Sequence, residues 1–498
     1  MPALWLPCLL TALLLADAAP ARGADLPAFP GAEGFGTSTQ HARGKPVFHV
    51  TRLDDVDAQQ RPESFRGPDR AGGLRWALTA AAAAGGGYIV FDVAGTIQLR
   101  RDAEVPANVY IAGQSAPGGG IAVTGGRIVI RGRDVVIRNI RHRGGLKPEG
   151  DAILIEEPAA NVVLDHVSIS FFRDGAVDTV GAKDVTMQWC HMGDAVDALT
   201  DEPYHGLPNL LRTRTDRVTI HHCYYTHAHS RVPLFTPDSY VKDDSARGGL
   251  IEFSQNVVYD YRKYPSSFPA PDGRGNAIGN LYVPGHHTHG SSQPRGVIEG
   301  DKNFTIFVKD NIALSSFPDR PGHDNKVKGE SKDHHVHRGK DAPVAGCRPN
   351  ATLPETAVLH NPQPGRFNVA DTRFAEIPPL TYQPLPRAVD AVMNFFGALP
   401  HDATDQRLQN ELLTHTGEWK MQQPDDRNAY EGQAAPDADA DGMPDAWEKK
   451  KKGRNLAPHG HDLDKRYENI EIYLQERMEQ LVKAAPDVEA WKKITVGR

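Results

Sequence analysis

A short alternation of apolar and polar positions recurs through the middle of the chain and predicts the fold. Each copy is rich in β-branched residues, and successive copies end 23 to 34 residues apart. A unit of this length cannot bury its own apolar face, so the copies must stack on one another. Period-two alternation indicates strands, and we therefore expect an all-β chain that forms a parallel β-helix. The clear copies end at Asn139, His166, Trp189 and His222, and weaker copies end at Asn256, Asn280 and Asn311.

The segments on either side of this repeat predict further elements. A helix over 74–84 would cap the open end of the stack, and a strand over 88–93 would begin coils that continue to about 315. Amphipathic helices are predicted over 387–396, 402–414 and 468–481. We expect a signal peptide at 1–24, the β-helix domain at 25–365, an extension with helices at 366–423 and a small module at 424–498.

Composition and charge limit where in or outside the cell the protein is expected and which classes of partner it can bind. An apolar run at 4–16, followed by small residues, has the shape of a signal peptide and predicts a secreted or periplasmic protein. No other segment is apolar for 18 residues, so no membrane span is expected. The net charge of −7 argues against nucleic acid as a partner, and we expect a monomer. An acidic protein can hold an acidic ligand only through a cation or a local basic cluster.

Two cysteines, Cys190 and Cys223, each follow the end residue of a copy and share a column with Ile140 and Val167. We expect them to be buried thiols, because side chains stacked in register are poorly aimed for a disulfide. The alternative, a disulfide in an oxidising compartment, stays open at this point.

Four carboxylates are predicted to converge on one face of the stack. Counting twelve residues from the copy ends Asn139 and His166 gives Asp151 and Asp178, which would share a column of neighbouring coils. Stacked like charges repel, so such a pair asks for a cation. The remaining two carboxylates are Glu149, on the same side of its strand, and Asp174, before an Asp-Gly turn. Oxygen-only ligands favour Ca²⁺, although each acid could instead belong to a solvated surface.

A basic residue and several motifs point to a known family. Arg231 lies nine residues beyond His222, which puts it on the same face as the acids. The chain resembles the pectate lyases of polysaccharide lyase family 1, particularly their secreted bacterial branch. The motifs that carry the resemblance are Phe-Pro-Gly-Ala-Glu-Gly-Phe-Gly at 29–36, Gly-Gly-Leu-Arg at 72–75, the glycine-rich stretch at 111–121, Asp-Ala-Ile at 151–153, Leu-Asp-His at 164–166, Asp-Gly-Ala-Val-Asp at 174–178 and Ser-Arg-Val-Pro at 230–233.

The resemblance implies a right-handed parallel β-helix that cleaves de-esterified α-1,4-polygalacturonate by β-elimination. It implies Ca²⁺ ligation by Glu149, Asp151, Asp174 and Asp178, and Arg231 as the general base. Asp165 and His166 also belong to the family pattern, and we interpret them as structural.

The chain departs from the family where a lysine is expected between the acids and the catalytic arginine. The corresponding stretch has Asp201 instead, and His205, Arg212 and Arg214 are the candidates to replace the lysine. Arg247 is the candidate for a second, substrate-binding arginine. This departure leaves a different substrate or weak turnover open.

A second calcium motif lies near the C-terminus. Residues 437–448 carry Asp437, Asp439, Asp441, Asp445 and Glu448 at loop positions 1, 3, 5, 9 and 12, with Gly442 at position 6. That is the ligand spacing of an EF-hand loop, in which glycine permits the sharp turn. No helix is evident before it, so it resembles dockerin-type or thrombospondin-type calcium loops. An acidic solvated linker is the alternative.

Three functions remain open from the sequence. A calcium-dependent pectate lyase accounts for the acids and for Arg231 together. A polygalacturonase-like hydrolase would use paired carboxylates around a water and needs neither calcium nor Arg231. A non-catalytic β-helix that binds polyuronate is the third, and the missing lysine supports it. A pectin lyase fits less well, since such enzymes replace the calcium acids.

Overall fold

The computed structural model of the protein describes residues 26–56, 71–145, 150–196, 206–212, 214–236, 248–262, 265–285, 288, 297–300, 304–314, 368–417 and 430–496. The predicted signal peptide lies outside these ranges. Within the ranges, the described chain is dominated by short strands with six α-helices, most of them near the C-terminus.

The strands form three sheets in which neighbouring strands are parallel, and the chain visits sheets I, II and III in turn to complete one coil. Sheet I contains β1 Val47–Val50, β2 Gly87–Phe91, β5 Val109–Ala112, β8 Arg133–Arg138, β11 Ala160–Asp165, β14 Lys183–Gln188, β17 Asp216–His221, β20 Leu250–Ser254, β23 Arg274–Ile278, β26 Thr305–Lys309 and β28 Asn368–Val369. Sheet II contains β3 Gly95–Gln98, β6 Ile121–Thr124, β9 Arg141–Arg143, β12 Ser168–Ser170, β15 His191–Gly193, β18 Tyr224–Ala228, β21 Val257–Tyr261, β24 Leu281–Val283 and β27 Ile312–Ala313. Sheet III contains β4 Ala103–Val105, β7 Ile128–Ile130, β10 Ile153–Glu156, β13 Val177–Val180, β16 Asn209–Arg212, β19 Leu234–Thr236, β22 Ser266–Phe268 and β25 Ile298–Gly300.

The recurring alternation in the sequence becomes the core of this stack. In sheet I, Val135, Val162, Val185 and Val218 pair in register from coil to coil, and all four are fully buried. A second inward column two residues further on is equally buried, since alternate residues of a strand share a face. Each such side chain contributes roughly 1.5–3 kcal/mol of hydrophobic stabilisation. The predicted parallel β-helix is confirmed.

The corner between sheets I and II has a left-handed backbone in coil after coil, with φ near 55° at Asn139, His166 and Trp189. The weaker copy ends predicted at Asn256, Asn280 and Asn311 are wrong by one residue, because the left-handed positions in those coils are Gln255, Gly279 and Asp310.

The three asparagines instead occupy the next column, below Cys223. There the Asn256 side-chain oxygen accepts from the Cys223 backbone N–H at 2.9 Å, and Asn280 and Asn311 repeat the contact in later coils. This ladder of asparagine side chains provides hydrogen-bond acceptors for backbone N–H groups at the corner. The hydrophobic alternation of the sequence does not predict these hydrogen bonds. Cys190 and Cys223 are free and buried in the same column, as expected.

Helices close the N-terminal end and cover two of the three sheets. Helix α1, at Leu74–Ala83, packs its buried leucines and alanines on the core at the predicted place. The other helices are α2 Leu385–Phe395, α3 Ala403–Thr414, α4 Asp445–Lys452, α5 Asn469–Ala484 and α6 Ala490–Val496. Of these, α2, α3 and α5 agree with the three predicted helices within a few residues. Among the helices that the structure describes, none has the length and apolar character needed to cross a membrane.

The C-terminal segments lie on the outer faces of sheets I and II. Met443, Ile470 and Leu474 share an apolar cluster with Tyr88 and Val90 of sheet I. Residues of α2, α3 and α6 form another with the outer face of sheet II. Neither outer cluster includes a residue of sheet III, and Asp178, one of the acids predicted to bind calcium, lies on that sheet.

Candidate active site on sheet III

Three of the four predicted acids lie at the start of neighbouring strands of sheet III. Asp178 belongs to β13 and faces outward between Val177 and Thr179, which face the core. Asp151 lies two residues before β10, and Asp174 lies in the turn that leads into β13. Asp151 and Asp178 are 9% and 8% exposed, so their carboxylates are largely withdrawn from solvent.

The prediction that Asp151 and Asp178 share one column is wrong. Strand pairing sets Asp178 opposite Leu154, three residues beyond Asp151. The count of twelve residues fails because the segment between sheets II and III is longer in the coil of Asp151 than in the coil of Asp178. Asp151 instead aligns with Gly175, whose backbone N–H donates to the Asp151 Oδ1 at 3.1 Å.

The two carboxylates nevertheless converge over Gly175. A Cβ at Gly175 would lie 2.6 Å from the Oδ1 atoms of both Asp151 and Asp178, so these oxygens are at most twice that distance apart. A side chain at this position would collide with both acids, which explains the Asp-Gly sequence of the turn. The Leu210 backbone N–H donates to the Asp178 Oδ1 at 3.2 Å and holds it in place.

Burial and mutual repulsion raise the pKa of both acids. Burial has the largest effect on Asp151, followed by the charge of Asp174, and together they raise its pKa to about 6. The pKa of Asp178 is raised well above its ordinary value by burial first, then by the charges of Asp151 and Asp174. Three anions held together at this cost are the environment that a bound cation relieves.

Arg231 is close enough to act on these acids. Arg231 precedes β19, two coils beyond the coil of Asp178, and its backbone oxygen accepts a hydrogen bond from the Asn209 N–H at 2.9 Å. Its backbone is left-handed, with a φ of 60°, and the Val232–Pro233 bond that follows is cis. The positive charge of Arg231 lowers the pKa values of Asp151 and Asp178, against the effect of burial. The predicted neighbourhood of acids and arginine is therefore present.

A second arginine near the acids was missed by the sequence analysis. Arg127 precedes β7 in the coil before Asp151, and its charge also lowers the pKa of Asp151. Asp102 holds it, with 2.7 Å between the Arg127 Nη2 and the Asp102 Oδ2. The sequence does show Gly-Gly-Arg before an apolar strand. Without the pairing of the coils, however, this pattern does not show that Arg127 lies near Asp151.

The remaining predicted residues divide into those placed elsewhere and those not described. Arg212 lies at the end of β16 on the outer face of sheet III, two residues beyond Leu210, which pairs with Asp178. Arg214 binds Glu157 at 2.7 Å on the surface. Glu149, Asp201, His205 and Arg247 lie outside the described residues.

The C-terminal loop brings its predicted ligands closer together than sheet III does. Ligand oxygens of Asp437, Asp439 and Asp441 lie within 4.8 Å of one another, and so do those of Asp439, Asp445 and Glu448. Within the part of the chain that the structure describes, acids of sheet III do not form a group of three at this spacing. Burial and the neighbouring carboxylates raise the pKa of Asp441 to about 7.

Fold and site together define a parallel β-helix protein with an acidic, arginine-flanked patch on one sheet. The chain is similar to the probable pectate lyase C of Emericella nidulans, with 28% identity over 431 residues and 84% of each chain covered. It is also similar to the probable pectate lyase C of Aspergillus terreus, with 28% identity over 84% of this chain and 86% of that protein. No family model matches the chain.

Solved structures of pectate lyases also align with the chain. One is a Bacillus sp. N165 pectate lyase in complex with trigalacturonate, with 16% identity, a TM-score of 0.46, and 74% of this chain and 99% of that chain covered. Another is the thermostable pectate lyase PL 47, with 14% identity, a TM-score of 0.49, and coverage of 74% and 97%. The relationship itself rests on the fungal sequences. The chain is a relative of proteins named as probable pectate lyases, as its motifs predicted.

Proposed function

We propose that the chain is a calcium-dependent pectate lyase that cleaves α-1,4-polygalacturonate by β-elimination and releases 4,5-unsaturated oligogalacturonates. The observation that carries the proposal is the convergence of Asp151, Asp174 and Asp178 beside Arg231 on the outer face of sheet III. The relationship to pectate lyases supports the same reading. We further propose a secreted or periplasmic location, where such a polymer would be met, and the four-part division of the chain at 24, 365 and 423.

The chemistry assigns a separate task to each residue. The C5 proton of a uronate is acidic because the adjacent C6 carboxylate delocalises the charge left behind. Arg231 in its neutral form takes this proton, the C4–O bond breaks with its electron pair leaving on the oxygen, which takes a proton from water, and a C4–C5 double bond forms. Neutral arginine is rare in water, so alkaline conditions and nearby cations must favour it.

The acids Asp151, Asp174 and Asp178, with Glu149 from outside the described residues, would hold Ca²⁺. They fit this ion because they offer oxygen ligands only and repel one another without a cation. When bound, calcium neutralises the substrate's carboxylates and favours loss of the C5 proton. The candidates for binding further carboxylates of the substrate are Arg212, His205 and Arg247.

The test is to incubate the protein with polygalacturonate in calcium or in a chelator and to follow ultraviolet absorbance. We expect absorbance of the conjugated uronate to rise in calcium and to stay flat in the chelator. New reducing ends without absorbance would instead show hydrolysis, and binding without either product would show a non-catalytic polyuronate-binding protein. Either result would overturn the proposal.

A substitution of Asp178 by asparagine should abolish activity and yet stabilise the protein in chelator. The folded-state pKa of Asp178 lies above its unfolded value, so the ionised carboxylate lowers folding stability as pH rises through the folded pKa. Asparagine removes the charge and keeps an oxygen for the Leu210 N–H. At pH 8 we therefore expect a higher thermal midpoint than that of the parent protein.

The matched control is Asp216→Asn. Asp216 also accepts a backbone N–H from the next coil, Leu250 at 3.0 Å, but it pairs with Arg217 at 2.8 Å rather than with other acids. Its substitution should leave activity unchanged and should not raise the midpoint. A lower midpoint for Asp178→Asn in chelator would show that this carboxylate stabilises the fold and would argue against an ion site.

A further inference from the structure

We propose that the loop 437–448 binds one calcium ion, and that this ion fastens the C-terminal module to the first coils of the β-helix. The loop lies against the outer face of sheet I, whereas the proposed active site lies on sheet III. The proposal is therefore independent of the lyase function, and the two can fail separately.

The ligand set fits one cation. Asp439 belongs to both groups of acids whose oxygens lie within 4.8 Å of one another, so it links Asp437 and Asp441 to Asp445 and Glu448. Calcium binds oxygen at about 2.3–2.6 Å, which allows ligands of a single ion to be about this far apart. The five acids come from one continuous stretch of twelve residues, with Gly442 at φ 89° making the sharp turn.

Glu448 gives independent support for a cation in the loop. Its side chain is fully buried, and its Oε1 accepts from the Leu456 backbone N–H. The Oε2 of Glu448 has no hydrogen-bond partner among the residues that the structure describes, and Glu448 is a member of the group with Asp439 and Asp445. A buried carboxylate oxygen without a partner is costly, and a cation in the loop would satisfy it.

The loop is also the contact between the C-terminal module and the first coils. A Cβ at Gly442 would lie 3.0 Å from Val47 and 3.5 Å from Val90, so the turn presses directly on β1 and β2. The next residue, Met443, is fully buried in the cluster that it shares with these strands. His49 of β1 lies 3.1 Å from the Ala440 backbone oxygen through its Nε2.

Without an ion, the five acids repel one another at the point where the loop must stay folded to keep these contacts. With an ion, the loop is fixed and holds Met443 and Ala440 against β1 and β2. Helix α5 then seats on the same strands, where Glu468 accepts from the Tyr88 hydroxyl at 2.9 Å. Calcium thus holds the C-terminal module against the outer face of the first strands of sheet I.

The experiment uses the full-length protein carrying Asp178→Asn, which weakens the sheet III site and leaves the loop intact. Terbium, which replaces calcium, should show luminescence sensitised by Trp447, the residue before Glu448. Calcium should displace it, and calcium at 100 times the dissociation constant should raise the thermal midpoint by about 3 °C.

Glu448→Gln should lose both the terbium signal and the midpoint shift, and so should Asp439→Asn, an exposed position where a folding defect is not expected. The matched control is Glu489→Gln, an exposed acid of the same module that pairs with Lys492 at 3.6 Å. It should keep both readouts. If Glu448→Gln and Asp439→Asn bind terbium and respond to calcium as the parent does, the proposed site is wrong, whatever the activity of the enzyme.

Discussion

Replacing Arg231 with lysine should reduce the rate of unsaturated product formation by about 10³-fold, with little change in calcium binding or in folding stability. A positioned general base contributes roughly 10²–10⁴-fold, and lysine is too short to bring its amine to the place of the guanidinium. The substitution keeps the positive charge that lowers the pKa values of Asp151 and Asp178. The loss would therefore report on proton transfer rather than on the ion site.

Arg217→Lys is the matched control, because Arg217 also has a left-handed backbone, with φ 56° against 60° for Arg231. It lies on sheet I, paired with Asp184 and Asp216, and its substitution should leave the rate unchanged.

A second substitution, Arg231→Ala, separates charge from chemistry. It should also abolish turnover, but it should tighten calcium binding because a cation beside the acids is removed. Product formation by either Arg231 variant at the parental rate would show that another group removes the C5 proton.

The sequence predicted the strands well because a parallel β-helix repeats one local pattern. The copy ending at Asn139 became β8, and the copies ending at His166 and Trp189 became β11 and β14, each with two apolar residues in the core of the stack. The pattern failed where the chain leaves a strand. Segments between sheets II and III vary in length without any hydrophobic signal, so the offset argument put Asp178 opposite Asp151 instead of Leu154.

The acids still lie close together, because a binding site on the surface of the stack requires nearby side chains and does not require them to be paired in register. Gly175 has no side chain, so the carboxylates of Asp151 and Asp178 approach each other over it although the strand register is shifted by three residues. The family motif at 174–178 identified Asp174 and Asp178 without any count of offsets. Arg127 could not be found in this way, since its relation to Asp151 depends on pairing between coils.

The C-terminal helices were predicted, but the way they dock was not. Arg143 of sheet II forms buried ion pairs of 3.0 and 2.8 Å with Asp402 and Asp405 at the start of α3. Contacts between residues so far apart in the chain leave no periodic trace in the sequence. Only the structure shows that these charges join the helices to the β-helix.

Replacing His227 with glutamine should destabilise the protein by roughly 3–5 kcal/mol, the cost of breaking a buried ion pair. His227 is buried in sheet II between two acids, with 2.7 Å from its Nδ1 to Asp260 and 2.9 Å from its Nε2 to Glu411 of α3. Burial lowers the pKa of this imidazole, but the hydrogen bonds to Asp260 and Glu411 outweigh burial and raise it to about 10. The ring is therefore a cation that holds α3 on the sheet at neutral pH, with Asp194 nearby adding to the effect.

The pH dependence gives a sharper test than the loss of stability alone. Because the folded pKa of His227 lies above the unfolded value of 6.5, its contribution is complete below about pH 6.5, declines above it, and is lost as pH rises through about 10. Urea unfolding of the parent should thus show stability falling between pH 6.5 and 10, and the glutamine variant should lack this part of the slope. His142→Gln is the control, since burial lowers the pKa of His142 to about 4 and it is neutral throughout this window. An unchanged slope in His227→Gln would mean that His227 is neutral and that α3 docks without its charge.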